Sequence, residues 1–189
     1  MVFNASVGKP VTVPNRLSIE GTASYHQTIH LWTPNAGGPR TMAEARAIAE
    51  NNGVYIADDV HFVSVDDALY DAKFGNSYAT YGRFNVEGTN SPVMWKASSS
   101  TTGGVADASG RINVWVRQSV MDSDYSITAV LGHETYEIEA LRTMFQQNGG
   151  AMRAGQYLDQ VKPGVPNNIH WQAVDFGDQL VRDMLGLGG

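Results

Sequence analysis

At 189 residues and 42% hydrophobic content, the chain suits one domain with a continuous core, and its 17% charged fraction is low. A formal charge of −6 argues against a broad phosphate-tracking surface, because nucleic-acid binders draw on clustered Lys and Arg. The absence of cysteine excludes disulfides, Cys-ligated zinc and thiol catalysis together, and no apolar run reaches the ~18 residues of a membrane span.

Residues 1–40 read as an N-terminal extended segment, part of the same domain or of a delivery scaffold, and residues 41–189 as a hydrolase domain. Strand-like runs at Val11–Val13 and Ser24–Trp32 are broken by Pro10, Pro14, Pro34 and Pro39. The segment shows no basic-then-apolar leader, so no signal peptide is expected. His26 and His30 fall in a strand-favouring stretch, where i,i+4 neighbours lie far apart, so they read as surface or core histidines.

Thr41-Met-Ala-Glu44 is a capping box, and it predicts a helix running to Gly53. Val54 to Val65 reads as an extended pair with His61 in its second half, and Ser64-Val-Asp-Asp67 opens a short helix to about Lys73. From Ser77 to Val116 the pattern is β, with Ile112, Val114 and Val116 alternating against Asn113, Trp115 and Arg117. The link Ser98–Gly104 reads as a flexible polar loop.

Asp122 to Gln147 then carries a cap signal, a long helix-period pattern and a Gly149-Gly150 stop, and is expected to follow the strand directly. At about 100° per residue, Ile127, Val130, Leu131, Ile138, Leu141 and Phe145 share one face. Glu134 projects from its centre, flanked by His133 and Glu137. A carboxylate there costs several kcal/mol unless something pairs with it. A short helix near Ala154 to Gln160 follows. Asn167 or Asn168 then caps a last helix with an apolar stripe of Ile169, Ala173, Phe176, Leu180, Val181 and Met184. His170 lies at the edge of that stripe, nearly in line with Gly177, and Asp175 and Asp178 point away from it. The expected fold is α+β, a small mixed or antiparallel sheet packed against the long central helix and the C-terminal helix.

H-E-x-x-H on a helix binds zinc because i and i+4 share a face, while the intervening Glu acts as general base on the bound water. Here Glu137 stands in place of the second His, and a carboxylate oxygen is an acceptable zinc ligand. His170 is the best candidate for the third. The expected site is therefore His133, Glu137 and His170 around Zn²⁺ or another divalent ion such as Mn²⁺, with Glu134 activating a metal-bound water. The competing reading pairs these groups with a buried Arg, for which Arg117 is one possible partner, or with backbone. A metal-dependent nuclease is a further alternative, but it should carry a basic groove that the composition does not supply. Protein or peptide substrates suit an acidic chain better, and neither nucleic acid nor membrane is expected as a partner.

The stretch from Val116 to Met184 resembles C-terminal toxin modules of bacterial polymorphic toxins of the Rhs type. The matching residues are Val116, Arg117, Val120, Ser123 and Asp124, then His133, Glu134, Glu137, Leu141 and Arg142, then Asn168, His170, Ala173, Asp175, Asp178, Leu180, Val181 and Met184. The pattern departs at Val174, where a Trp is often seen. The resemblance implies a secreted antibacterial effector with metallopeptidase-like activity, acting in the cytoplasm of a target cell and neutralised by a cognate immunity protein.

Overall fold

The computed structural model describes residues 34–74, 96–98, 102–106, 112–148, 154–161 and 164–187. Most of the expected N-terminal extended segment, with His26 and His30, lies outside the described residues, as do the first expected strand after Ser77 and Trp95.

Helix α1 (Met42–Asn51) forms where the capping box predicts it: the Thr41 side chain accepts from the Glu44 N–H while the Glu44 carboxylate accepts from the Thr41 N–H. Gly53 at φ +92° takes the chain out of the helix in the left-handed region that glycine favours. Strand β1 (Val60–Val65) follows. Val54 to Ala57 form no strand, so the expected extended pair is a single strand. The reason is a turn at Asp58-Asp59, closed by the Val60 N–H donating to the Ala57 carbonyl. Asp66 caps α2 (Asp67–Phe74), its carboxylate accepting from the N–H groups of Ala68 and Leu69.

Three further strands, β2 (Lys96–Ser98), β3 (Thr102–Ala106) and β4 (Ile112–Arg117), complete a sheet of order β1-β4-β3-β2. β1 and β4 run parallel, and the other pairs are antiparallel. The fold is thus α+β with a mixed sheet. β3 corrects the expectation of a polar loop at Ser98–Gly104: Gly103 and Gly104 lie opposite Trp115 and Val114 of β4. Pairing to a neighbouring strand overrides the low strand preference of Gly and Ser. Ile112, Val114 and Val116 are buried as the alternation predicts. Arg117 is buried too, contrary to its place on the polar side. Its guanidinium lies over the Tyr70 ring, 4.3 Å from the centroid, and donates to the Asp67 carbonyl.

A 3₁₀ turn (Gln118–Asp122) separates β4 from the central helix α3 (Asp124–Gln147), where direct entry was expected. Ser123 occupies the N-cap without a side-chain hydrogen bond to the helix. Asn35 supplies one instead, its side-chain oxygen accepting from the Asp124 N–H at 3.0 Å, and Arg40 forms a two-armed pair with the Asp124 carboxylate. The helix entry is therefore fixed by a segment more than 80 residues away in sequence. Ile127, Val130, Leu131, Ile138, Leu141 and Phe145 all join one buried cluster with Val60, Phe62 and the inward residues of β4.

Helix α4 (Ala154–Val161) leads to α5 (Ile169–Met184), which packs along α3. Asn168 is the cap, its Oδ1 accepting from the Trp171 N–H. Its Nδ2 donates to the Asp159 carbonyl of α4. Asn167 takes the left-handed φ of +59° that turns the chain into the helix. The two helices meet through small residues. A Cβ on Gly177 would lie 2.9 Å from the Ala129 carbonyl oxygen, so the backbones touch there. Asp178 corrects the expectation that it faces away: it is buried, held by an i,i+4 pair to Arg182 at 2.9 Å.

Candidate metal centre

Gly177 lies seven residues beyond His170, two helical turns, and Ala129 eight before Glu137. The close approach at Gly177 therefore lies on the faces that carry the site, and it brings the first turn of α5 against the middle of α3. There one Glu137 oxygen, Oε1, stands 3.0 Å from Nδ1 of His170 and 3.4 Å from Nε2 of His133. The two imidazoles meet edge to face with centroids 5.1 Å apart. His133 and Glu137 are buried, at 2% and 5% exposure, and the His170 side chain retains 15%, so His170 forms the solvent side of the cluster.

One ligating atom from each of these three residues lies within 4.8 Å of the other two. Ligands about 2.0–2.2 Å from a tetrahedral zinc stand roughly 3.3 Å from one another, so small side-chain adjustments would close the three around an ion. The group sequence reasoning assembled from two separate motifs thus comes together in space, and it could hold a metal ion. Glu134 is buried on the same helix at 3% exposure but is not one of the three.

Electrostatics prepare Glu137 for this. Burial pushes its carboxyl pKa up, but the neighbouring charge and hydrogen bond of His133, then those of His170, outweigh it and hold the group well below the ordinary carboxylate range. An ionised carboxylate only accepts, so the His170 Nδ1 facing it carries the hydrogen when no metal is bound. Metal binding would replace that hydrogen and release protons.

The first turn of α5 is braced in ways the sequence did not suggest. The Tyr136 hydroxyl donates to the Gln172 side-chain oxygen at 3.1 Å, and the Gln172 amide donates back to the Asn167 carbonyl. These residues neighbour Glu137 and His170 in sequence. Only the i,i+3 placement of Tyr136 after His133 hinted at a shared neighbourhood. Trp171 packs its ring edgewise on His170 with centroids 5.4 Å apart.

Arg117, the arginine named as an alternative partner, makes the Tyr70 and Asp67 contacts described above. Arg142 bridges Glu139 at 2.8 Å and Asp59 at 2.6 Å on another side of α3. No family model, curated protein or solved structure matches the chain.

Proposed function

We propose that this chain is a metal-dependent hydrolase of zincin-like type, most simply a peptidase, holding Zn²⁺ or another divalent ion through His133, Glu137 and His170. The observation that carries the reading is the Glu137 oxygen poised between two imidazole nitrogens from different helices, at 3.0 and 3.4 Å. Three protein ligands with a remaining open position are the usual stoichiometry of catalytic rather than structural zinc. When bound, such an ion supplies Lewis acidity, polarising a carbonyl and lowering the pKa of water to about 7.

The remaining roles belong to the protein. His133 and Glu137 lie i,i+4 on one face of a rigid helix, and Asn168 and Gln172 fix the turn that presents His170. In this reading Glu134, next to His133 in sequence, takes the role of general base and accepts a proton from the attacking water. Motif resemblance adds the biological setting: an antibacterial effector delivered into a target cell, acting in its cytoplasm and restrained by a cognate immunity protein. A net charge of −6 favours a protein or peptide substrate over nucleic acid.

One observation favours a non-catalytic second reading: His170 and Glu137 are within hydrogen-bond distance at 3.0 Å, so the three side chains can form a self-sufficient packing element. Metal analysis and zinc titration of purified protein divide the two. Stoichiometric, chelator-reversible zinc that is lost in His170→Ala supports the metal centre; no uptake at all leaves the packing reading. Casein and peptide cleavage against DNA and RNA degradation, each with and without chelator, then identifies the bond broken.

A further inference from the structure

Round α3 from the metal ligands, with Glu139 about 160° from Glu137 at 100° per residue, lies a cavity of about 410 Å³, lined by Tyr55, Tyr136, Phe176, Ala140, Glu139 and Thr135 among others. It is too large for a single ion or water and suits a side chain with adjoining backbone. Tyr55 is 75% exposed at its edge, an aromatic ring kept in water. Tyr136 and Phe176 pack ring against ring, with centroids 5.3 Å apart. Tyr136 belongs to both places: it lines the cavity, precedes Glu137, and donates to Gln172, two residues beyond His170.

The polar groups in this aromatic setting have one sign. Glu139 and Asp59 share a single guanidinium, that of Arg142, which leaves one negative charge in excess on this side of α3. Among the described residues no Lys or Arg lines the cavity. An uncharged aliphatic group would leave the charge uncompensated. An ammonium or guanidinium brings several N–H donors and no acceptor, and it is attracted to aromatic faces.

We propose that this cavity binds a basic side chain, Lys or Arg, of a peptide substrate. The inference rests on the peptidase reading for its substrate but not for the binding itself, which needs no metal. Isotope-labelled protein in EDTA is titrated with the Nα-acetyl methylamides of lysine, arginine and norleucine and followed by amide NMR shifts. The two basic probes should bind roughly tenfold or more tighter than norleucine and shift Tyr136 and Gly53. Glu139→Gln should lose about that factor for the basic probes alone, and Phe176→Leu should weaken them with the fold intact by circular dichroism. Equal binding of norleucine, or no binding of either basic probe up to its solubility limit, overturns the proposal. Because these titrations are metal-free, their failure is distinct from failure of zinc uptake, which is measured separately.

Discussion

Gly177→Ala tests whether the metal centre depends on the α3–α5 seam. The new Cβ would sit 2.9 Å from the Ala129 carbonyl oxygen and 3.6 Å from the Ala129 Cα, and the obstacle is backbone, which cannot rotate away. Relieving a 2.9 Å contact to about 3.4 Å requires α5 to move out by roughly 0.5 Å. Alanine gains about 1 kcal/mol of helix propensity over glycine, while overpacking costs about 1–3 kcal/mol, so the net change is a loss of about 0–2 kcal/mol. That corresponds to a fall in Tm of no more than about 8 °C for a domain of this size. The larger effect falls two turns away, at the 3.0 Å spacing of His170 and Glu137, because a ligand set tolerates only about 0.5 Å of displacement. Zinc affinity by competition titration should drop by about tenfold or more while the protein stays folded. A variant with raised Tm and unchanged zinc affinity would refute the idea that this seam sets the ligand spacing.

Glu134→Gln should retain zinc but lose at least about 10²-fold in kcat for whatever peptide is cleaved, since a general base contributes about 10²–10⁴-fold; equal loss of zinc would make Glu134 structural instead. The Glu137 carboxyl is held below its ordinary value of 4.5, so its contribution to stability is present above the unfolded-state pKa and lost as pH falls through the folded one. Metal-free protein should therefore lose urea stability below about pH 5 more steeply than Glu137→Gln, and parallel pH profiles would contradict the assignment. Asn168→Ala removes the α5 cap and the tie to Asp159, and should cost about 1 kcal/mol in urea unfolding together with a measurable loss of zinc affinity. Thr41→Ala removes the α1 cap and should cost a similar amount, about 1 kcal/mol, with zinc affinity unchanged, so it serves as the control.

Elements governed by local signals were legible in the sequence: the Thr41–Glu44 box and the apolar face of α3 appear where residue pattern places them, while the short helix opened at Ser64-Val-Asp-Asp67 is capped by Asp66, with Ser64 still in β1. Elements set by pairing at a distance were not. β3 exists because β4 offers it a ladder, and its own Gly103-Gly104 gives no strand signal. Asn35 caps α3 from across the chain, and nothing in its local sequence marks it for that role. His170 falls between the two cases. Its place on the α5 edge could be read from periodicity, but its distance to Glu137 depends on how closely the helices approach. The small residue that permits the approach, Gly177, shares the His170 face, and that was the usable signal.

The same periodicity explains how one helix serves three neighbours. On α3, at 100° per residue, Glu134 falls with Ile127, Ile138 and Leu141 on the apolar face. His133 and Glu137 fall at the margin where α5 packs, and Thr135, Tyr136 and Glu139 fall toward the cavity beyond it. A candidate metal-ligand pair, a candidate base and a candidate specificity wall are thus close in sequence yet directed to different surroundings. Their separation is fixed by the backbone hydrogen bonds of the helix and not by flexible loops. Substitution at any one position should then change one property selectively: zinc affinity at Glu137, turnover at Glu134, or preference for a basic side chain at Glu139. Loss of all three together from the single change Glu139→Gln would mean that the helix itself had moved, and would argue against three separable roles on one rigid element.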